Sequence, residues 1–124
     1  MNSILIVEDE ARLALFIAKG FKKHGFTTTI VSDGEQALKI SRETDYDAIL
    51  LDLGLPIKDG WMVLKELRDS GNHTPVIVMT ARSESRAAAL SAQANDYLQK
   101  PFRFTQLLKM VQQLLPDSDV TSPV

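Results

Sequence analysis

The chain contains no cysteine, which excludes disulfides, thiol catalysis and thiolate-bound metals together. Histidine is scarce too: His24 and His73 are the two in the chain, one beside Gly25 and one among turn formers, and both read as solvated surface. No segment approaches the roughly 18 apolar residues needed to span a bilayer. Residues 1–9 carry too short an apolar run for a signal peptide, with acids where its cleavage site would sit. Basic excess is also missing, with 14 Lys and Arg against 16 Asp and Glu and a net charge of −2, so nothing suggests that the domain itself contacts nucleic acid. There is no internal repeat and no low-complexity run. The expectation is a soluble, cytoplasmic domain without membrane contact.

What is present is enough for one core. At 124 residues and 44% hydrophobic content, the chain can bury about two-thirds of its unfolded surface. The stretch that organises it is Ala48-Ile49-Leu50-Leu51-Asp52-Leu53-Gly54-Leu55-Pro56. Its apolar run reads as a strand buried on both faces, as in a parallel sheet. Asp52 then stands at the carboxyl edge, where open α/β sheets bind ligands. An Asp in such a place needs water, a partner or chemistry.

Strand and helix alternate along the rest. Ile4-Leu5-Ile6-Val7 runs into Glu8-Asp9. Leu13, Phe16, Ile17, Gly20 and Phe21 then fall on one helical stripe, read as buried, which ends at His24-Gly25. Thr27-Thr28-Thr29-Ile30-Val31 is a second, more exposed strand. Ala37, Leu38 and Ile40 mark a second helix ending near Thr44. After Asp52, Pro56-Ile57-Lys58-Asp59-Gly60 is a loop, and Trp61, Val63, Leu64 and Leu67 give a third helix. Pro75-Val76-Ile77-Val78-Met79 ends in Thr80, Ser83 can cap a fourth helix through Ala92, and Tyr97-Leu98-Gln99 precedes Lys100-Pro101. Leu107, Leu108, Val111, Leu114 and Leu115 form a last stripe, stopped by Pro116. Five alternations with right-handed crossovers predict a doubly wound, five-stranded parallel α/β sheet with helices on both faces. The domain is expected over residues 1–116, with a polar, frayed tail over 117–124.

The unusual residues collect at strand ends: Glu8 and Asp9, Asp52, Thr80 and Lys100. With strand order 2-1-3-4-5, the first and third strands flank the switch point and three carboxylates crowd together. Their repulsion calls for a cation, and hard oxygen donors without His or Cys favour Mg²⁺. A carboxylate nucleophile with Mg²⁺, a lysine and a hydroxyl describes phosphoryl transfer to an aspartate. Taken alone, Glu8-Asp9 could equally be a cap and helix-dipole pair, and Thr80 could simply cap the next loop.

Val7-Glu8-Asp9-Glu10, Leu51-Asp52-Leu53, Leu55-Pro56, Asp59-Gly60, Met79-Thr80-Ala81, Asn95-Asp96-Tyr97-Leu98 and Lys100-Pro101-Phe102 occur in this order. Over residues 3–115 the sequence thereby resembles the receiver domain of two-component response regulators. Its wording at Thr80-Ala81-Arg82 and Asp96-Tyr97-Leu98 is most similar to receivers of winged-helix transcription factors. The resemblance implies that Asp52 accepts a phosphoryl group from the phosphohistidine of a sensor histidine kinase or histidine phosphotransfer protein. It implies Mg²⁺ bound by Asp9, Asp52 and the Gly54 carbonyl, with Glu8 helping. Lys100, Thr80 and the Ala81 backbone N–H would hold phosphoryl oxygens. Thr80 and Tyr97 would act as the switch, signalling through the fourth helix, fifth strand and fifth helix, and the Lys100-Pro101 bond would be cis. Kinase specificity would lie on the first helix near Arg12, Leu13 and Phe16, while Gly54 and Arg82 would tune the lifetime of the phosphorylated state. Chemistry would be limited to self-phosphorylation and self-dephosphorylation.

Two departures from that family stand out. Thr80 and Lys100 are 20 positions apart, about two fewer than receivers usually have, and Gln93 replaces the glycine common before Ala-Asn-Asp-Tyr. The last helix carries Gln106, Lys109, Met110, Gln112 and Gln113 in place of the charges that winged-helix receivers use to dimerise, so a monomer or weak dimer is expected. The output goes to a downstream protein or to an effector domain of a longer chain. A pseudo-receiver that binds partners without being phosphorylated is the alternative. An aspartate-nucleophile phosphatase is disfavoured by Gly54, where a second acid is needed. A flavodoxin-type flavin site is disfavoured by Glu8 and Asp9, which would repel the phosphate.

Overall fold

The computed structural model describes residues 2–81 and 86–115. Strand and helix alternate as β1 (Ser3–Val7), α1 (Ala11–Lys23), β2 (Thr27–Val31), α2 (Gly34–Glu43), β3 (Ala48–Asp52), α3 (Gly60–Asp69), β4 (Val76–Thr80), α4 (Arg86–Ser91), β5 (Asp96–Gln99) and α5 (Phe104–Leu114). All the strand pairings are parallel, in the order β2-β1-β3-β4-β5. This is the doubly wound sheet that the apolar runs predict.

The period-2 geometry of the strands sorts their side chains onto two cores. Leu5, Val7, Ile49, Leu51, Val76, Val78 and Tyr97 pack with α2, α3 and Ala89 of α4. Ile4, Ile6, Ala48, Leu50, Ile77, Met79 and Leu98 pack with α1 and α5 on the other face. The three inner strands are buried almost throughout, whereas β2, at one edge, keeps Thr27 and Ile30 exposed.

One expectation needs correction. Phe16 is 55% exposed, and the buried stripe of α1 is Ala14, Ile17, Ala18 and Phe21. Several apolar residues flank each other on this helix, so spacing alone does not say which row faces the sheet; the small Ala14 and Ala18 let the helix approach closely. Phe16 and Gly20 instead turn toward α5. The Phe104 ring meets Phe16 edge-on at 6.3 Å and sits where a Cβ on Gly20 would be 2.5 Å away. Tyr97 is buried, 8% exposed, although its strand lies at the other edge of the sheet. Ser83, Arg82, Pro116 and the 117–124 tail lie outside the described residues.

Short loops carry the strand ends into place. Asp33 caps α2 by accepting from the Gln36 N–H at 2.8 Å, and Asp59 caps α3 by accepting from the Met62 N–H at 3.1 Å, each satisfying an otherwise unpaired helix donor. Gly60 brings the start of α3 against the end of β3: its N–H donates to the Leu53 carbonyl at 2.9 Å, and a Cβ there would meet the Asp52 carbonyl oxygen at 2.5 Å.

Candidate functional site

Four of the five strands that end at the carboxyl edge contribute to one cleft. β1 runs directly into Glu8 and Asp9, β3 ends on Asp52, β4 on Thr80, and β5 leads into Lys100. Register carries this convergence: Val7 lies opposite Leu51, Asp52 opposite Met79, and Thr80 opposite Gln99. The Lys100 N–H donates to the Thr80 carbonyl at 2.7 Å and extends the ladder by one step. The Lys100-Pro101 peptide bond is cis. The cleft is lined by Glu8, Asp9, Glu10, Asp52, Gly54, Thr80, Ala81 and Lys100.

Carboxylate oxygens of Glu8, Asp9 and Asp52 all lie within 4.8 Å of one another. Glu8 is 1% exposed and Asp52 6%, while Asp9 faces solvent. Lys100 Nζ bridges the two buried acids, 2.7 Å from Glu8 Oε1 and 3.5 Å from Asp52 Oδ1. The second Glu8 oxygen accepts from the Glu10 N–H at 3.0 Å.

The electrostatics follow from burial. Removal from water pushes the Glu8 carboxyl above the usual carboxylate range; the Lys100 and Glu10 hydrogen bonds oppose this, and the Asp52 charge adds to it. For Lys100, burial alone would lower the ammonium's affinity for its proton, but the Glu8 hydrogen bond and the charges of Asp52 and Glu8 outweigh it and hold the group above its ordinary value. The cleft is therefore an anionic pocket with Lys100 as the cation fixed on its wall among the described residues.

Thr80 is 1% exposed. By strand alternation it shares a face with Val76 and Val78, the face on which Tyr97 lies opposite Val78. Thr80 and Tyr97 are thus one step apart on adjacent strands, on the α4 side of the sheet. Arg12 and Leu13 of α1 line an apolar pocket with Pro101 and Phe102 next to the cleft; Phe16 is exposed on the same helix. His24 and His73 are exposed, as expected.

Three features were not anticipated from sequence. Ile57 adopts φ +67° on the loop after Gly54, and its side chain is 76% exposed; a β-branched residue is rarely found there. Gln93 adopts φ +74° just after α4, where a left-handed residue closes a helix and glycine is usual. This explains what the absent glycine would have supplied. Arg68 of α3 buttresses that turn: it donates to the carbonyls of Gln93, Asn72 and Thr74 at 3.0, 2.9 and 2.9 Å and to Asn95 Oδ1 at 3.0 Å. No local pattern marks Arg68 for this, because Gln93 and Asn95 are 25 and 27 positions away.

Fold and cleft together define a doubly wound α/β domain with an acidic pocket at its switch point. The chain belongs to the response regulator receiver domain family, whose pattern it matches over residues 4–112. It is similar to the transcriptional regulatory protein PcoR of Escherichia coli, 38% identical over 93% of this chain and 52% of that protein. It is also similar to the transcriptional regulatory protein HprR of Escherichia coli K12, 42% identical over 87% and 49%. The chain thus spans about half the length of the curated relatives it matches. Among solved structures, the receiver domain of the Francisella response regulator 1452 superposes with a TM-score of 0.89 at 34% identity, covering 92% of this chain and 96% of that one. The receiver domain of the sensor histidine kinase PA1611 from Pseudomonas aeruginosa PAO1, which has a magnesium ion coordinated in its active-site cleft, superposes with a TM-score of 0.83 at 36% identity, covering 91% and 96%.

Proposed function

We propose that this domain is a phosphoacceptor switch. Asp52 accepts a phosphoryl group from the phosphohistidine of a sensor histidine kinase or histidine phosphotransfer protein. One observation carries the reading: Glu8, Asp9 and Asp52 converge on one cleft, with the Lys100 ammonium 2.7 Å from Glu8 and 3.5 Å from Asp52.

The donor set fits Mg²⁺. Carboxylates this close repel one another, and hard oxygen ligands suit magnesium. Asp9 and Asp52 would hold the ion with the Gly54 carbonyl, and Glu8 would support it directly or through water. When bound, the ion neutralises charge on the phosphoryl oxygens. The similar receiver of PA1611 has magnesium in its cleft.

The remaining chemistry belongs to the chain. An Asp52 carboxylate oxygen attacks phosphorus, the P–N bond to the donor histidine breaks, and the imidazole nitrogen leaves with the electron pair. Lys100, charged and already at the cleft wall, exchanges a carboxylate for a phosphoryl oxygen. The Thr80 hydroxyl and the Ala81 N–H take another. The product adds nearly two negative charges and strong acceptor oxygens at the sheet edge. Drawing Thr80 toward them alters the space beside Tyr97 and so the face built by α4, β5 and α5. Water returns the aspartate by slow hydrolysis, with Gly54 flanking its path; Arg82, the other residue assigned to that role, lies outside the described residues.

Arg12, Leu13 and the exposed Phe16 would select the donor protein. The signal would pass to a downstream protein or to an effector domain in a longer chain, while this domain itself leaves nucleic acid alone. The neutral α5 residues Gln106, Met110, Gln112 and Gln113 favour a monomer or weak dimer. A binding module unresponsive to phosphorylation is the alternative, supported by the short α4 and the Gln93 turn. Calorimetric titration with Mg²⁺ separates the two. The switch binds one ion and loses it in Asp9→Asn; no binding by the unaltered protein would favour the module.

A further inference from the structure

Tyr97 is covered by a side chain that no strand-end reasoning points to. Arg86 opens α4 and reaches across to β5 in several ways. Its Nη1 donates to Asp96 Oδ1 at 2.5 Å and its Nη2 to the Tyr97 carbonyl at 3.3 Å, while its guanidinium carbon stands 6.0 Å from the centre of the Tyr97 ring. Asp96 Oδ1 in turn accepts from the Tyr97 N–H at 2.8 Å. The planar guanidinium, with donors in a fixed fork, thus holds both the backbone and the ring face of one residue.

Tyr97 is 8% exposed although it lies on an edge strand, so something on the α4 side must keep water from its ring. Arg86 is itself 55% exposed, however, and its pair with Asp96 lies at the surface. Exposed pairs are weak, so the contact biases the tyrosine without locking it. A weak cover on a buried aromatic is what a movable element requires.

We propose that Arg86 is a positioning residue for Tyr97, holding the ring buried and tying its burial to the position of α4. The regulatory part of this inference rests on the reading of Tyr97 as the switch aromatic; the positional part does not. Any shift of α4 relative to β5 breaks the fork and uncovers the ring, so the α4–β5 face changes as a unit.

The test uses the full chain with 3-fluorotyrosine at Tyr46 and Tyr97, with Tyr46→Phe to assign the signals. A soluble gadolinium chelate then reports ring exposure through fluorine relaxation. Arg86→Gln should raise the exposed fraction of Tyr97 about fivefold, the limit for losing an exposed charged contact, and leave Tyr46 unchanged. Arg86→Lys, which keeps the Asp96 pair but not the fork, should fall between. An unchanged Tyr97 signal in Arg86→Gln overturns the proposal, as does an equal rise at Tyr46, which would mean general loosening. Intact mass after incubation with Mg²⁺ and acetyl phosphate is measured on the same samples. If the unaltered protein gains no phosphoryl group, the switch reading fails while the Tyr97 result still decides the role of Arg86.

Discussion

The carboxyl edge of the sheet and the flank formed by α3, α4 and β5 are held together by different means. At the edge, Glu8, Asp52 and Thr80 each follow or end a strand whose residues are buried on both faces. Their positions are set by ladder register, and the one long side chain that matters, Lys100, crosses to two neighbouring acids. The flank has a six-residue α4 and a turn that forces Gln93 to φ +74°. Arg68 and Arg86 fasten it through hydrogen bonds to loop and strand backbone. The cleft thus depends on backbone pairing and the flank on side-chain tethers. It follows that the flank can be loosened while the cleft stays intact.

That separation can be broken or sharpened by substitution. The largest effect is expected at the edge. Lys100→Met strands the Glu8 carboxylate in a site with 1% exposure, and losing one partner of a buried pair costs about 3 kcal/mol. Urea unfolding without Mg²⁺ should show the loss, and added Mg²⁺ should return part of it by supplying another cation. On the flank, Arg68→Ala removes four charge-assisted hydrogen bonds at a cost of about 2 kcal/mol. Its Mg²⁺ affinity should nevertheless match that of the unaltered protein; a marked fall would show that flank and cleft are one unit. Smaller gains come from the left-handed residues. Gln93→Gly and Ile57→Gly should each stabilise by about 1 kcal/mol, since the relief of a strained φ exceeds the added chain entropy, and both appear as a higher melting temperature. The smallest effect belongs to the solvent-exposed Lys65–Asp69 pair: Lys65→Ala should leave the urea-unfolding midpoint where it is, because exposed pairs are screened by water.

The same division explains what could be read from sequence. Strands β1, β3 and β4 announce themselves because burial on both faces leaves uninterrupted apolar runs, and Glu8, Asp9, Asp52 and Thr80 follow because they stand at the ends of those runs. The sheet order then brings Glu8, Asp9, Asp52 and Lys100 together without any knowledge of side-chain conformation. The exposure of Phe16 is not legible in the spacing, because α1 is apolar on more than its buried face and helical periodicity cannot choose between adjacent rows. Ile57 gives no sign of its left-handed backbone, since nothing about isoleucine suggests it. The missing glycine at Gln93 was visible as a departure, but the remedy was not: Arg68 finds its acceptors 25 and 27 positions away, and Arg86 meets the Tyr97 carbonyl 11 positions on. Tethers made by one long side chain leave no periodicity.

The central claim is that Asp52 takes a phosphoryl group in a Mg²⁺-dependent reaction. Intact mass after incubation with Mg²⁺ and acetyl phosphate tests it most directly, with Asp52→Asn and a sample without Mg²⁺ alongside. The account predicts one added phosphoryl group on the unaltered protein and none in either control. An adduct that persists in Asp52→Asn, or no adduct at all, would contradict it.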